Sequence, residues 1–112
     1  MSVEHQVLDT IDIVFLSGRV DAQSAPGVNE EIAKILDQGK NKMLINFKGL
    51  EYISSAGLRI LIIIAKKMRA SEGGLALCSL DEKIYEVFDI SGFTAIFQIY
   101  DTQKEAIEAL NS

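Results

Sequence analysis

Four consecutive residues of this chain, Ser54-Ser55-Ala56-Gly57, have types and spacing that could do chemistry. They break the segment EYISSAGLRILIIIAKKM, residues 51–68, between a hydrophobic strand and an aliphatic helix. A serine at such a junction serves as an N-cap, its oxygen accepting from amides that the first helical turn leaves orphaned. Gly57 is the odd member, because glycine costs about 1 kcal/mol against alanine inside a helix. In a first turn it leaves backbone N–H groups uncovered, and bare amides at the positive helix end suit an anion. The stretch therefore reads either as a plain cap or as an acceptor hydroxyl, Ser55, beside a place fit for a phosphate. A second polar position, Asp21 in GRVDAQSA, is either a turn residue bonding its own backbone or an acid with a function.

Most other chemistry is absent. No phosphate-binding loop, dinucleotide fingerprint or nucleophile elbow occurs, and no Cys/His cluster could hold a metal. His5 is the single histidine and reads as a surface residue of the first strand. Ser55 has no obvious activating base, so we expect no enzyme and no cofactor. Cys78, alone in the apolar run LALC, reads as a small buried hydrophobe. The net charge of −5 argues against nucleic acid and against an anionic membrane surface. The longest apolar run is too short to span a bilayer, and the first ten residues lack the pattern of a signal peptide. These features point to a cytoplasmic protein whose partner is another protein or a small ligand.

The elements that must position these residues follow from periodicity. EHQVL and IDIVFLSG flank a tight turn at Asp9-Thr10 and read as a hairpin. A helix follows, capped by Ser24, with Pro26 and then Glu30-Glu31 early, Val28, Ile32, Ile35 and Leu36 as its stripe, and Gly39 as its stop. KMLINF is a buried strand. The helix after the break runs to about Ala70, with Gly73-Gly74 as its stop. Leu58, Leu61, Ile62, Ala65 and Met68 share its sheet-facing stripe; Ile60, Ile63 and Ile64 lie beside or behind it. LALC is a strand, and a short helix from Asp81 points Ile84, Val87 and Phe88 inward. AIFQI is a last strand, and a terminal helix is capped by Asp101 or Thr102. The order ββαβαβαβα predicts an α/β fold, a mixed but mostly parallel sheet with helices packed on it. Its strand-to-helix loops, Gly18 to Ser24 and Gly49 to Ser55, should share one edge.

The segments LSGRVDAQSAPGV, INFKGLEYISSAGLRIL and VFDISGF, in that order, resemble the STAS domain of bacterial anti-sigma factor antagonists. The resemblance runs from about Val7 to Leu110, and we expect residues 1–112 to form a single such domain. It implies a protein-binding module switched by phosphorylation. Unphosphorylated, it would bind an anti-sigma factor that is also a serine kinase; phosphorylated, it would release it, and a phosphoserine phosphatase would reset it. Aligning Gly57-Leu58 on the family's Gly-Leu puts Ser55 on the phosphoacceptor, with Ser54 the second candidate. Asp21 falls on the acidic residue of the neighbouring loop. Asp21, Ser54, Ser55, Ala56, Gly57 and Arg59 are then the expected switch and partner-binding residues. The chain departs from the family at Ser54, where an Asp is common. Two other readings stay open: an unswitched STAS subunit of a transporter or larger assembly, and a nucleotide-binding domain using Ala56-Gly57.

Overall fold

A computed structural model describes residues 2–38 and 41–112. The chain runs β1 (Ser2–Leu8), β2 (Ile11–Val20), α1 (Ala25–Gln38), β3 (Lys42–Ile53), α2 (Ser55–Ala70), β4 (Gly74–Cys78), α3 (Glu82–Ile90), β5 (Ile99–Tyr100) and α4 (Gln103–Leu110). The expected order of elements is the observed one. The strands form one five-stranded sheet in the order β1-β2-β3-β4-β5. Only the β1–β2 pair is antiparallel.

That monotonic order dictates the layering. Right-handed crossovers between successive parallel neighbours place every connecting helix on the same side. Accordingly Val28 and Ile32 of α1, Leu58, Leu61, Ile64 and Met68 of α2, and Ile84 and Phe88 of α3 share one core with one face of the sheet. α4 follows the last strand, is no crossover, and folds onto the opposite face. There Ala106 packs against Ile11, Ile13, Leu44, Ala76 and Cys78. Burial in this second layer pushes the Cys78 thiol above its ordinary pKa, opposed by a hydrogen bond with Ser79.

Several local expectations need correction. The stripe of α2 is rotated: Ile64 is buried with Leu58, Leu61 and Met68, whereas Ile62, Ile63 and Ala65 are half-buried. Positions 57, 61, 64 and 68 follow the helical period more closely than a stripe through 62. α2 stops without a left-handed glycine. Glu72 takes φ 59°, and Gly73 N–H donates to Met68 O while Glu72 N–H donates to Arg69 O, a Schellman closure. Gly74 already belongs to β4. Glu30 and Glu31 sit beyond the first turn of α1, which holds no acid. The stop expected at Gly39 lies outside the described residues.

AIFQI is not a strand. Gly92, at φ 78°, reverses the chain after α3, and Phe93–Ala95 form a 3-10 turn. Phe97 N–H donates to Phe93 O at 3.0 Å. Phe93 and Phe97 then stack on Phe88, which also meets Phe47 edge-on, with ring centroids 5.7–6.1 Å apart. Alternation suggested a strand here, but aromatic packing outweighs it. Only Ile99 and Tyr100 pair with β4. Thr102, not Asp101, caps α4, accepting from Glu105 N–H while its hydroxyl donates to the Glu105 carboxylate.

The rotation of α2 is directly testable. Ile64→Ala should cost about 2–5 kcal/mol, as for other fully buried aliphatics. Ile62→Ala should cost clearly less, under about 2 kcal/mol. Urea midpoints at constant slope measure both, and equal losses would mean that the helix faces the sheet as the sequence periodicity implied.

Candidate functional site

β2 and β3 continue beyond the body of the sheet. β3 pairs with β4 only from Lys42 to Asn46, yet runs on to Ile53. It stays paired with β2 through Ser17↔Gly49, Gly18↔Leu50, Arg19↔Tyr52 and Val20↔Ile53. The glycines that seemed to open loops lie inside this two-stranded ribbon. Gly18 takes φ 83° beside a register shift, a conformation natural to glycine at a bulge. The loops shrink to Asp21–Ser24 and Ser54, and both leave the tip of the ribbon on the same edge.

The two loops are tied together. Ser54 N–H donates to Val20 O at 2.8 Å, so the residue before α2 sits against the residue before Asp21. Ser54 is the N-cap of α2: its backbone is extended (φ −91°, ψ 175°), and its Oγ accepts from Gly57 N–H at 3.3 Å. The amide offered above as an anion donor is thus already taken. Gly57 has a different reason to be glycine. A Cβ there would lie 2.7 Å from Ile53 Cγ1 and 2.9 Å from Val20 Cγ1. The first turn of α2 packs directly on the ends of β2 and β3, and no side chain fits between.

The two serines therefore differ. Ser54 is half-buried and engaged as the cap, whereas Ser55 is exposed. The Ser55 hydroxyl has no hydrogen-bond partner among the described residues. Ala56 is half-buried, and Arg59, one turn along, is exposed.

Asp21 organises its own loop. Its Oδ1 accepts from Gln23 N–H at 3.1 Å, from Ser24 N–H at 3.0 Å and from Ser24 Oγ at 3.2 Å. Ser24 is no simple cap for α1: its Oγ accepts from Asp21 N–H and also lies 3.0 Å from Arg19 O. These hydrogen bonds, led by Ser24 N–H and aided by the Arg19 charge, hold the Asp21 carboxyl below its usual pKa against some burial. The turn-residue reading of Asp21 is correct, and the loop it shapes lies beside the cap of α2.

Sequence reasoning missed one pair at this tip. The Arg19 guanidinium carbon lies 4.2 Å from the Tyr52 ring centroid, a cation–π stack. Arg19 and Tyr52 are register partners one step before Val20 and Ile53, so they face away from α2. Strand alternation counted back from the break would have found them. Elsewhere, His5 Nε2 is 2.8 Å from Oδ1 of buried Asp12, far along the strands from this edge. Among the described residues, no group of His, Cys, Asp or Glu is gathered as for a metal, and no helix is long and apolar enough to cross a membrane.

Comparison with known proteins agrees with this geometry. The STAS domain family model matches residues 2–106, and the chain belongs to that family. BtrV of Bordetella bronchiseptica is 35% identical over all of this chain and 97% of its own. The anti-sigma-B factor antagonist of Bacillus subtilis is 31% identical over 77% of this chain and 78% of its own. The crystal structure of the tm1081 protein of Thermotoga maritima superposes with TM-score 0.93 at 26% identity, over 98% of this chain and 95% of that one.

Two outcomes follow from the site's geometry. Helix propensity alone would make Gly57→Ala stabilising by about 1 kcal/mol. The close contact with Ile53 and Val20 should reverse the sign and cost about 1–3 kcal/mol, read as a lower Tm. For Asp21, a depressed carboxyl contributes stability above its unfolded value, lost as pH falls through the folded one. Wild type should therefore melt above Asp21→Asn at neutral pH, and the gap should close below about pH 4. A gap that persists at low pH would show that the carboxylate charge plays no part.

Proposed function

We propose that this STAS-domain chain is an anti-sigma factor antagonist, a binding module switched by phosphorylation of Ser55. Unphosphorylated, it engages an anti-sigma factor that is also its serine kinase, and a phosphoserine phosphatase restores it. The observation that carries the reading is the difference between adjacent serines. Ser55 is exposed and free at the tip, while Ser54 is held in the cap. The names carried by relatives, including the anti-sigma-B factor antagonist of Bacillus subtilis, point the same way. Asp21, Ser54, Ser55, Ala56, Gly57 and Arg59 belong to the partner surface in this reading. Such a module performs no chemistry itself and works in the cytoplasm.

Phosphate at Ser55 adds about 1.5–2 negative charges at neutral pH. It would sit at the first position of α2, where an anion gains roughly 0.3–1 kcal/mol from the helix dipole. The domain should keep its fold. A partner surface shaped to a neutral hydroxyl beside Asp21 would instead bury an unpaired dianion, a loss of several kcal/mol, and each ~1.4 is tenfold in affinity. Fold and binding thus respond in opposite directions to one modification. Ser54 takes the place of the Asp common before the acceptor, so the capping side chain carries no charge beside the phosphorylated Ser55.

The test uses wild type, Ser54→Ala, Ser55→Ala and Ser55→Asp as baits for the anti-sigma factor, with mass spectrometry after incubation with that kinase. Ser55→Ala should bind and stay unmodified, and Ser55→Asp should bind at least tenfold more weakly. Ser54→Ala should still be phosphorylated, but should melt lower by the value of a cap, about 0.5–2 kcal/mol. Phosphate found on Ser54, or a phosphorylated form that unfolds, would refute the switch as described.

A further inference from the structure

The two edges of the sheet are finished differently. β5 is only two residues long and lies against α4. β1 is seven residues long, contains no Pro, Gly, Lys or Arg, and pairs with β2 in unbroken register from Ser2↔Ser17 to Leu8↔Ile11. The register shifts of β2 fall on its other side, against β3. Val7 and Leu8 are 52% and 44% exposed. Short length, charged side chains, prolines and bulges are the usual protections of an edge strand; among the described residues β1 is long, has no lysine, proline or bulge, and carries Glu4 as its one acid.

The orientation of its free backbone follows from the hairpin. Leu8↔Ile11 closes the Asp9-Thr10 turn and is a hydrogen-bonding position. Alternation then points the amides and carbonyls of Ser2, Glu4, Gln6 and Leu8 toward β2, and those of Val3, His5 and Val7 outward. The outward residues, Val-His-Val, read the same in both directions about His5. We propose that β1 pairs antiparallel with β1 of a second copy about a two-fold axis at His5, joining two sheets edge to edge.

The register favours this occupant. His5 would face His5, and each Val3 would face the partner's exposed Val7. Glu4 would meet Gln6, so no carboxylate meets its own copy. Each His5 ring is already tied to Asp12 of its own chain at 2.8 Å. The contact is a single strand edge between chains of net charge −5, smaller than a standard interface. The dimer is therefore weak and forms only at high protein concentration. Two-fold pairing at β1 sends the two β2–β3 tips in opposite directions, leaving both Ser55 sites open. The inference stands independently of the proposed switch.

Sedimentation of the purified chain from about 10 µM to about 1 mM tests it, with amide exchange at Val3, His5 and Val7 read over the same range. Expected are a monomer–dimer equilibrium and protection of these three amides that rises with concentration. Val3→Pro removes an outward amide without touching the β1–β2 ladder, and Val7→Lys places a charge in the pair. Each should weaken the dimer at least tenfold, while Ile90→Ser on α3, where Ile90 is 79% exposed, should leave it unchanged. A chain that stays monomeric throughout, a dimer that survives both β1 variants, or one dissolved by Ile90→Ser would each overturn the proposal.

Discussion

The contact between Gly57 and the ends of two strands is the constraint on which this edge of the sheet depends. With only a hydrogen at position 57, α2 begins in contact with Val20 and Ile53, and Ser54 donates to the Val20 carbonyl at 2.8 Å. One small residue thereby fixes where the helix begins, which serine caps it and which serine is left facing solvent. A methyl group more would move all three together. The helix cap and the strand ends form a single packed unit, so the geometry of Ser55 is inherited from the sheet.

The monotonic strand order supplies the second condition. With α1, α2 and α3 all on one face, the order never reverses, and the crevice in which doubly wound sheets hold nucleotides does not arise. The Gly57 amide is occupied as well. Both facts weigh against a phosphate cradle at Ala56-Gly57. What remains at the tip is a projecting surface carrying polar groups on both sides: Asp21, Ser55 and Arg59 by α2, Arg19 and Tyr52 behind. Projections suit recognition by a larger molecule better than enclosure of a small one.

Much of this was legible from the residues. Alternation and helical period expose the order of elements, because each buried stripe must match its own geometry. The Asp9-Thr10 turn and the start of α3 near Asp81 were equally plain; in the fold Asp81 caps that helix, its Oδ1 accepting from Ile84 N–H. Legibility failed where tertiary packing decided between local options. Phe93 and Phe97 could alternate along a strand or stack around Phe88, and only the assembled aromatic core selects the second. Ser54 and Ser55 are equivalent as letters; the Val20 carbonyl and the Gly57 amide make them different. Gly57 itself was misread, because lack of a side chain serves bare amides and close packing equally well. Gly18 and Gly49 resemble loop residues, but they belong to a bulged ribbon whose length no local pattern reveals.

That ribbon has an evolutionary consequence. From Phe47 onward β3 has no partner in β4, so the outward residues of the tip are not shared with the rest of the sheet. Substitutions at such positions can accumulate without erosion of the core behind them. Duplicated copies of the gene could then diverge in what they recognise while retaining one scaffold, and crosstalk between parallel pathways would be set by a handful of positions at the end of two strands.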